Sequence, residues 1–244
     1  MTMFSRIIEF NKRSCSLIDK YIIGSYIDVD YKALLKASIN NYLDTRAYTT
    51  VLEVGGIDRP LLTKSGKIKY VGLDIDYKEK CGEIYDEFIL QSIESSLNNK
   101  YDIIISITLL EHVKNNYLSI NSIYNGLNNG GATMHYVPSK YHPYSLILSL
   151  VGPRLQKTII NHLRPEAKGV AGYPAYFHLC SPLQMKKAFE EKGFVNVKIQ
   201  PFYRAADYFN FFVPFYAMVV LWEIICKRLG LVLFCSGFII TAAK

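Results

Sequence analysis

Cysteine is sparse and scattered in this chain. Cys15, Cys81, Cys180, Cys226 and Cys235 form no C-x-x-C pair, and no histidine cluster stands at zinc spacing. That excludes a zinc ribbon, a thioredoxin-like redox motif and a disulfide framework, and no metal site is expected. The five read as buried, reduced thiols of a cytosolic protein. Acids are outnumbered, 21 to 28, giving a formal net charge of +7 and a sequence pI near 9.0. Such a balance can attract anionic membrane surfaces or nucleic acid, although most of the lysines read as scattered, solvated charges. There is no long basic block and no RNA-binding signature, so nucleic acid is not an expected partner. Repeats and low-complexity tracts are absent. So is an uninterrupted apolar run of the ~18 residues that a membrane span needs. Arg6, Glu9, Lys12 and Arg13 interrupt any signal-peptide hydrophobic region. What is present is hydrophobic mass: half of the 244 residues are hydrophobic and 14% aromatic, with mean hydropathy +0.10. That suffices for a substantial core and leaves an apolar excess to be explained.

A further absence is informative. Val51 to Asp76 reads as an apolar strand, a glycine turn, a short helical segment and a second strand ending on an acid. The dinucleotide fingerprint G-x-G-x-x-G is missing, because Gly55-Gly56 is followed by Ile57, Asp58, Arg59 and Pro60. A pyrophosphate needs glycines through that turn, whereas a nucleoside without phosphates does not. A glycine turn still lets backbone approach a ligand closely. The acid at the next strand tip can accept hydrogen bonds from ribose hydroxyls. Gly55 to Asp74 spans 74 − 55 = 19 residues, close to the ~20 of a nucleoside-binding βαβ unit.

The rest of the chain keeps this rhythm. Strands are predicted at Thr50–Val54, Lys69–Asp74, Glu83–Leu90, Ile103–Ile107, Thr133–Val137, Val195–Ile199 and Phe238–Ala242. Helices are predicted at Phe4–Ile23, at Tyr31–Leu43 behind Asp30 as N-cap, at Tyr144–Ile160, and at Leu183–Lys192 between Ser181-Pro182 and Gly193. Alternating strands and helices favour a parallel sheet covered on both faces. Ile103-Ile104-Ile105 is apolar on both faces, as a central parallel strand requires.

Glu53-Val54-Gly55-Gly56-Ile57-Asp58-Arg59 resembles the E-x-G-x-G-x-G motif of the class I S-adenosylmethionine-dependent methyltransferases, with Ile57 and Arg59 replacing the second and third glycines. Asp74 falls on the family's strand-two acid. Tyr101–Ser106 running into Leu109-Leu110-Glu111-His112-Val113 is similar to the fourth-strand motif, and Asn129-Gly130-Gly131 to the turn before strand five. The resemblance covers roughly residues 45–200. It implies an α/β fold with a Rossmann-like doubly wound sheet of about seven strands, mostly parallel with an antiparallel last strand, and helices on both faces. It implies S-adenosyl-L-methionine as cofactor and methyl transfer to a small-molecule or lipid-linked acceptor. Residues 1–46 read as an N-terminal helical extension, and 47–244 as the methyltransferase domain with insertions at about 138–181 and 205–233.

By the same resemblance, Glu53 holds the methionine ammonium group directly or through water, and Gly55 and Gly56 pass beside the methionine portion. Asp74 takes the ribose hydroxyls and Ile75 lies against adenine. Gln91 stands where relatives present an acid to the adenine amino group, with Ser92 beside it. Ile107 ends strand four at the cofactor. Proton-accepting candidates are His142, just beyond strand five, and His112, after strand four; histidine suits the task because it titrates near neutrality. His135, inside strand five, reads as structural, and His178 as a weaker candidate. Two alternatives stay open: a non-catalytic S-adenosylmethionine-binding domain of this fold, and an NAD-dependent oxidoreductase.

Tyr208 to Arg228 is unusually apolar, but Asn210, Pro214 and Glu223 interrupt it. A span there would separate Phe238–Ala242 from its sheet. The expectation is an interfacial helix bent or broken at Pro214, with peripheral membrane contact from the cytoplasmic side. The oligomeric state is not legible.

Overall fold

The computed structural model describes residues 3–23, 30–146 and 173–244. Contacts divide the chain into two compact units. One, here called the sheet unit, comprises Asp30–Pro138, Tyr176–Gln200 and Phe238–Lys244; the other, the helical unit, comprises Met1–Val29, Ser139–Ala175 and Pro201–Gly237. Tyr31–Asp44, which the sequence assigns to the N-terminal extension, thus groups with the sheet.

The strands are β1 (Thr49–Val54), β2 (Ile68–Asp74), β3 (Glu87–Leu90), β4 (Tyr101–Ile107), β5 (Leu127–Pro138), β6 (Val195–Phe202) and β7 (Gly237–Ala243). They form one seven-stranded sheet in the order β3-β2-β1-β4-β5-β7-β6. Pairs β1/β2, β1/β4, β2/β3 and β4/β5 are parallel. β7 is antiparallel to β5. Gly130 and Gly131 exchange backbone bonds with Lys244, and the Ser139 N–H donates to Ser236 O, so one strand's numbering rises as the other's falls. Leu52, Ile103, Ile104 and Ile105 are fully buried, as strands covered on both faces demand. Asp102 sets the β1/β4 register: its Oδ2 accepts the Thr50 N–H at 2.8 Å and the Thr50 hydroxyl at 2.7 Å.

The helices are α1 (Met3–Ile18), α2 (Tyr31–Asp44), α3 (Cys81–Ile84), α4 (Asn116–Gly126), α5 (Pro182–Lys192) and α6 (Val213–Arg228). α1 continues as a π turn over Asp19–Ile23. Asp30 caps α2 by accepting the Lys32 N–H at 2.8 Å. Ser181 caps α5 and Gly193 ends it at φ +105.

Two local expectations change, one is refined and one lies largely outside the described residues. The strand expected at Glu83–Leu90 begins at Glu87, because Cys81–Ile84 closes a helical turn through Tyr85 N–H to Cys81 O. Asn129-Gly130-Gly131 lies inside β5, where the bonds to Lys244 extend the strand past the expected turn. Pro214 marks a break rather than a bend: the 3-10 turn Ala206–Phe209 ends before it, and it sits in the first turn of α6, where its missing N–H costs nothing. The helix expected at Tyr144–Ile160 lies, beyond residue 146, outside the described residues.

Candidate functional site

The carboxyl ends of β1, β2, β3 and β4 lie side by side in the sheet unit. After the buried run Val51–Val54 the chain turns at Gly55, whose φ is +85 and whose added Cβ would stand 2.9 Å from Leu109 Cδ1. Both the dihedral and the space demand glycine. A Cβ on Gly56 would strike the Tyr85 hydroxyl and come within 2.8 Å of Glu53 Cδ. Ile57 stands at the position of the family's second glycine and has φ +42. A β-branched residue rarely enters this left-handed region. The backbone keeps the glycine turn although the residue has changed.

Glu53 is 3% exposed. Both its oxygens accept the Leu61 N–H at 3.1 Å, and Oε2 also accepts the Tyr70 hydroxyl. Burial pushes its pKa up to about 7, against the lowering effect of those donors. Glu53 therefore fastens the turn from within, a partner set that the sequence reading did not foresee. Asp74 closes β2 at 8% exposure, with Oδ1 accepting the Asp76 N–H at 3.0 Å. Burial raises its pKa and nearby backbone N–H groups lower it. Ile75, beside it, is 58% exposed, an apolar surface next to the acid.

β3 delivers Gln91 and Ser92 next to Asp74, through Gln91 N–H to Asp74 O at 2.9 Å. The Gln91 amide donates to Ser96 O at 3.0 Å, and Ser92 Oγ accepts the Glu94 N–H at 3.2 Å. Both side chains thus shape the turn that follows β3. Ile107 pairs in register with Tyr136 of β5, and Tyr31 of α2 stacks on Tyr136 with ring centroids 3.6 Å apart. The start of α2 therefore lies at the carboxyl end of the sheet, where these residues gather.

After β4 the chain passes through Thr108, at φ +49, into a 3-10 turn, Leu110–His112. Glu111 in that turn is 4% exposed. Its Oε1 lies 3.7 Å from His112 Nε2, and its Oε2 has no hydrogen-bond partner among the described residues. Burial pushes its pKa up to about 8. Its carbonyl accepts the N–H groups of Tyr176 and Phe177 at 2.8 and 3.0 Å. Phe177 and Leu179 are themselves left-handed, at φ +50 and +59. An unsatisfied buried carboxyl next to strained backbone is a mark of function. The sequence signal was present: an acid between the apolar Leu110 and Val113.

The four histidines among the described residues divide by environment. His112 is half-buried beside Glu111. His135 is fully buried between Ser106 and Thr133, and burial pushes its pKa down to about 3, a neutral core residue. His178 Nδ1 accepts the Asn116 N–H at 2.9 Å. His142 departs from the substrate-facing position expected of it. It lies in the helical unit, fully buried, with Nε2 3.4 Å from Glu223 Oε1 and Nδ1 accepting the Tyr144 N–H at 3.2 Å. The acid of α6 is buried with it, and a buried acid seeks polar partners.

A methyltransferase-domain family matches residues 28–199. No curated protein matches the chain. Among solved structures, the CurJ carbon methyltransferase aligns with TM-score 0.54 at 14% identity, covering 94% of this chain and 57% of that one. The cyclopropane synthase MmaA2 from Mycobacterium tuberculosis aligns with TM-score 0.53 at 16% identity, covering 85% and 83%. Phosphoethanolamine N-methyltransferase 2 of Haemonchus contortus, in complex with phosphomonomethylethanolamine and S-adenosylhomocysteine, aligns with TM-score 0.50 at 11% identity, covering 100% and 60%. The chain thus spans little more than half the length of two of these three proteins, and at such identities the likeness is one of fold. The family match is longer evidence, reaching from α2 through β6 across most of the chain, and on it this protein belongs to the methyltransferase-domain family, as a class I S-adenosylmethionine-dependent methyltransferase.

Proposed function

We propose that the protein transfers the methyl group of S-adenosylmethionine to a small-molecule or lipid-linked acceptor, at the carboxyl ends of β1, β2 and β4. The observation that carries this reading is the pairing of the Gly55-Gly56 turn with Asp74 on adjacent strand tips. The residues suit the cofactor. The turn leaves room for backbone contact, Asp74 offers carboxylate oxygens for ribose hydroxyls, and exposed Ile75 offers a surface for a base. When bound, the cofactor supplies an electrophilic methyl on its sulfonium, and the protein supplies position and orientation. Glu53 acts through the turn it fastens. Glu111 and His112 stand after β4 as the proton-accepting pair: the ionised form of Glu111, which gains population as pH rises toward about 8, orients His112 or takes the acceptor's proton itself.

Calorimetric titration with S-adenosylmethionine, S-adenosylhomocysteine and NAD tests the site. The first two are expected to bind and NAD is not. Incubation with methyl-labelled cofactor and separate lipid and small-molecule fractions then seeks the acceptor. Cofactor binding with no label in either fraction would favour the non-catalytic alternative.

The turn itself gives a paired prediction. Gly56→Ala overpacks against Tyr85 and Glu53, at a cost of ~1–3 kcal/mol, so cofactor affinity should fall about tenfold or more. Ile57→Gly relaxes a left-handed backbone and should bind as well as the parent. Equal loss in both variants, measured by the same titration, would refute the geometry assigned to the turn.

A further inference from the structure

The helical unit carries a helix that is apolar on both its buried and its exposed side. α6 buries Tyr216, Val219, Val220, Glu223 and Cys226, an i, i+3, i+4, i+7, i+10 stripe that includes its one acid. The opposite side exposes Phe215, Met218, Leu221, Trp222 and Ile225. A helix on a globular surface ordinarily keeps its outward side polar, whereas α6 is apolar on both sides and keeps its one acid inside. Glu223 is held inside by the Ala205 N–H and stands beside His142. α1 packs alongside α6. Asn11 Oδ1 accepts the Val213 N–H at 3.3 Å, and Cys15 joins Tyr216, Val219 and Val220 in one core cluster. α1 and its π turn also turn apolar residues outward: Ile7 at 50%, Phe10 at 69%, Leu17 at 57% and Tyr21 at 71% exposure.

Charge decides what covers this face. The two helices and the π turn carry the bases Arg6, Lys12, Arg13, Lys20, Lys227 and Arg228 against three acids. Arg6, Arg13 and Lys20 recur every seven residues, on one side of the helix beside the exposed apolar positions. Every acid is engaged: Glu9 with Arg13 at 2.5 Å, Asp19 with Arg204 at 3.0 Å, and Glu223 in the core. A two-fold contact between copies would pair this patch with itself, setting one basic margin against another. Among the described residues no helix is long and apolar enough to cross a membrane. An apolar helix face with a basic margin fits a different surface, the headgroup boundary of an anionic bilayer.

We infer that α1 and α6 together form a docking face for an anionic lipid surface, into which the outward side chains of both helices insert. Trp222, the chain's single tryptophan, lies on this face at 36% exposure and serves as its own reporter. The whole 244-residue chain is mixed with vesicles of phosphatidylcholine alone or of phosphatidylcholine with phosphatidylglycerol. The anionic vesicles should co-sediment the protein and shift Trp222 emission to the blue, and added salt should weaken both effects. Neutral vesicles should do little. The double variant Lys227→Glu, Arg228→Glu should weaken anionic-vesicle binding by about tenfold or more. The triple variant Met218→Ser, Leu221→Ser, Ile225→Ser changes only exposed positions; it should keep its thermal unfolding midpoint and lose the emission shift. Absence of binding to either vesicle would overturn the inference, as would equal binding to both. A concentration-dependent blue shift without lipid, with a dimer by light scattering, would assign the face to a second copy instead. Binding is read without cofactor or turnover, so its failure leaves the methyltransferase reading untouched.

Discussion

Glu111→Gln is expected to lower turnover by about 10²-fold or more, the usual worth of a general base, while cofactor affinity stays close to that of the parent. Stability should move the other way. The folded-state pKa is pushed up to about 8 from an ordinary 4.5. Between those values the native carboxyl keeps a proton that the unfolded chain has released. Native stability from this group is therefore full below pH 4.5 and is lost as pH rises through about 8. Gln cannot ionise, so the variant should melt at a higher temperature than the parent at pH 9, and the two should converge near pH 5. Glu53 has a pKa raised to about 7 and contributes a slope of the same sign to both proteins, so the difference between their curves isolates Glu111. Thermal melts across pH 5–9, with turnover measured on the same preparations, read both effects. A Glu111→Gln protein with full activity would remove the proton-accepting role; a pH-independent difference in melting would show that Glu111 does not titrate in this window.

Asp74→Ala tests the other half of the site. Hydrogen bonds to a charged acceptor are worth ~1.5–3 kcal/mol, so S-adenosylmethionine should bind about tenfold to 150-fold more weakly. Because Asp74 also accepts the Asp76 N–H, a Asp74→Asn variant controls for the turn: it retains an acceptor there and should lose less affinity. Unchanged affinity in a folded Asp74→Ala protein would move the ribose elsewhere.

The sheet was legible because its signals are local and repeat. Val51–Val54 and Ile103–Ile105 announce buried parallel strands by composition, and Asp30, Ser181 and Gly193 mark helix ends by chemistry that acts within a few residues. The cofactor turn was legible from spacing even at Ile57, where φ +42 preserves what the residue type conceals. Partner choice was less visible. Nothing near Glu53 in sequence says that Tyr70, seventeen residues away, will donate to it. His142 looked accessible because it sits between prolines and tyrosines just past a strand. Its burial depends on Glu223, eighty-one positions later (223 − 142), whose inward orientation emerges only when α6 packs. Glu111 was passed over in favour of its neighbour because a histidine titrates near neutrality unaided, whereas the carboxyl does so only once buried.

The strand order has a consequence for synthesis. β7 lies between β5 and β6, so β6 has no hydrogen-bonding neighbour until β7 has emerged. The interval is 237 − 202 = 35 residues, about 2–7 seconds at ribosomal speed. Throughout it one sheet edge stands unpaired, and α6 with its outward aromatics leaves the ribosome first. A nascent chain in that state is a target for edge-to-edge association until β7 closes the gap.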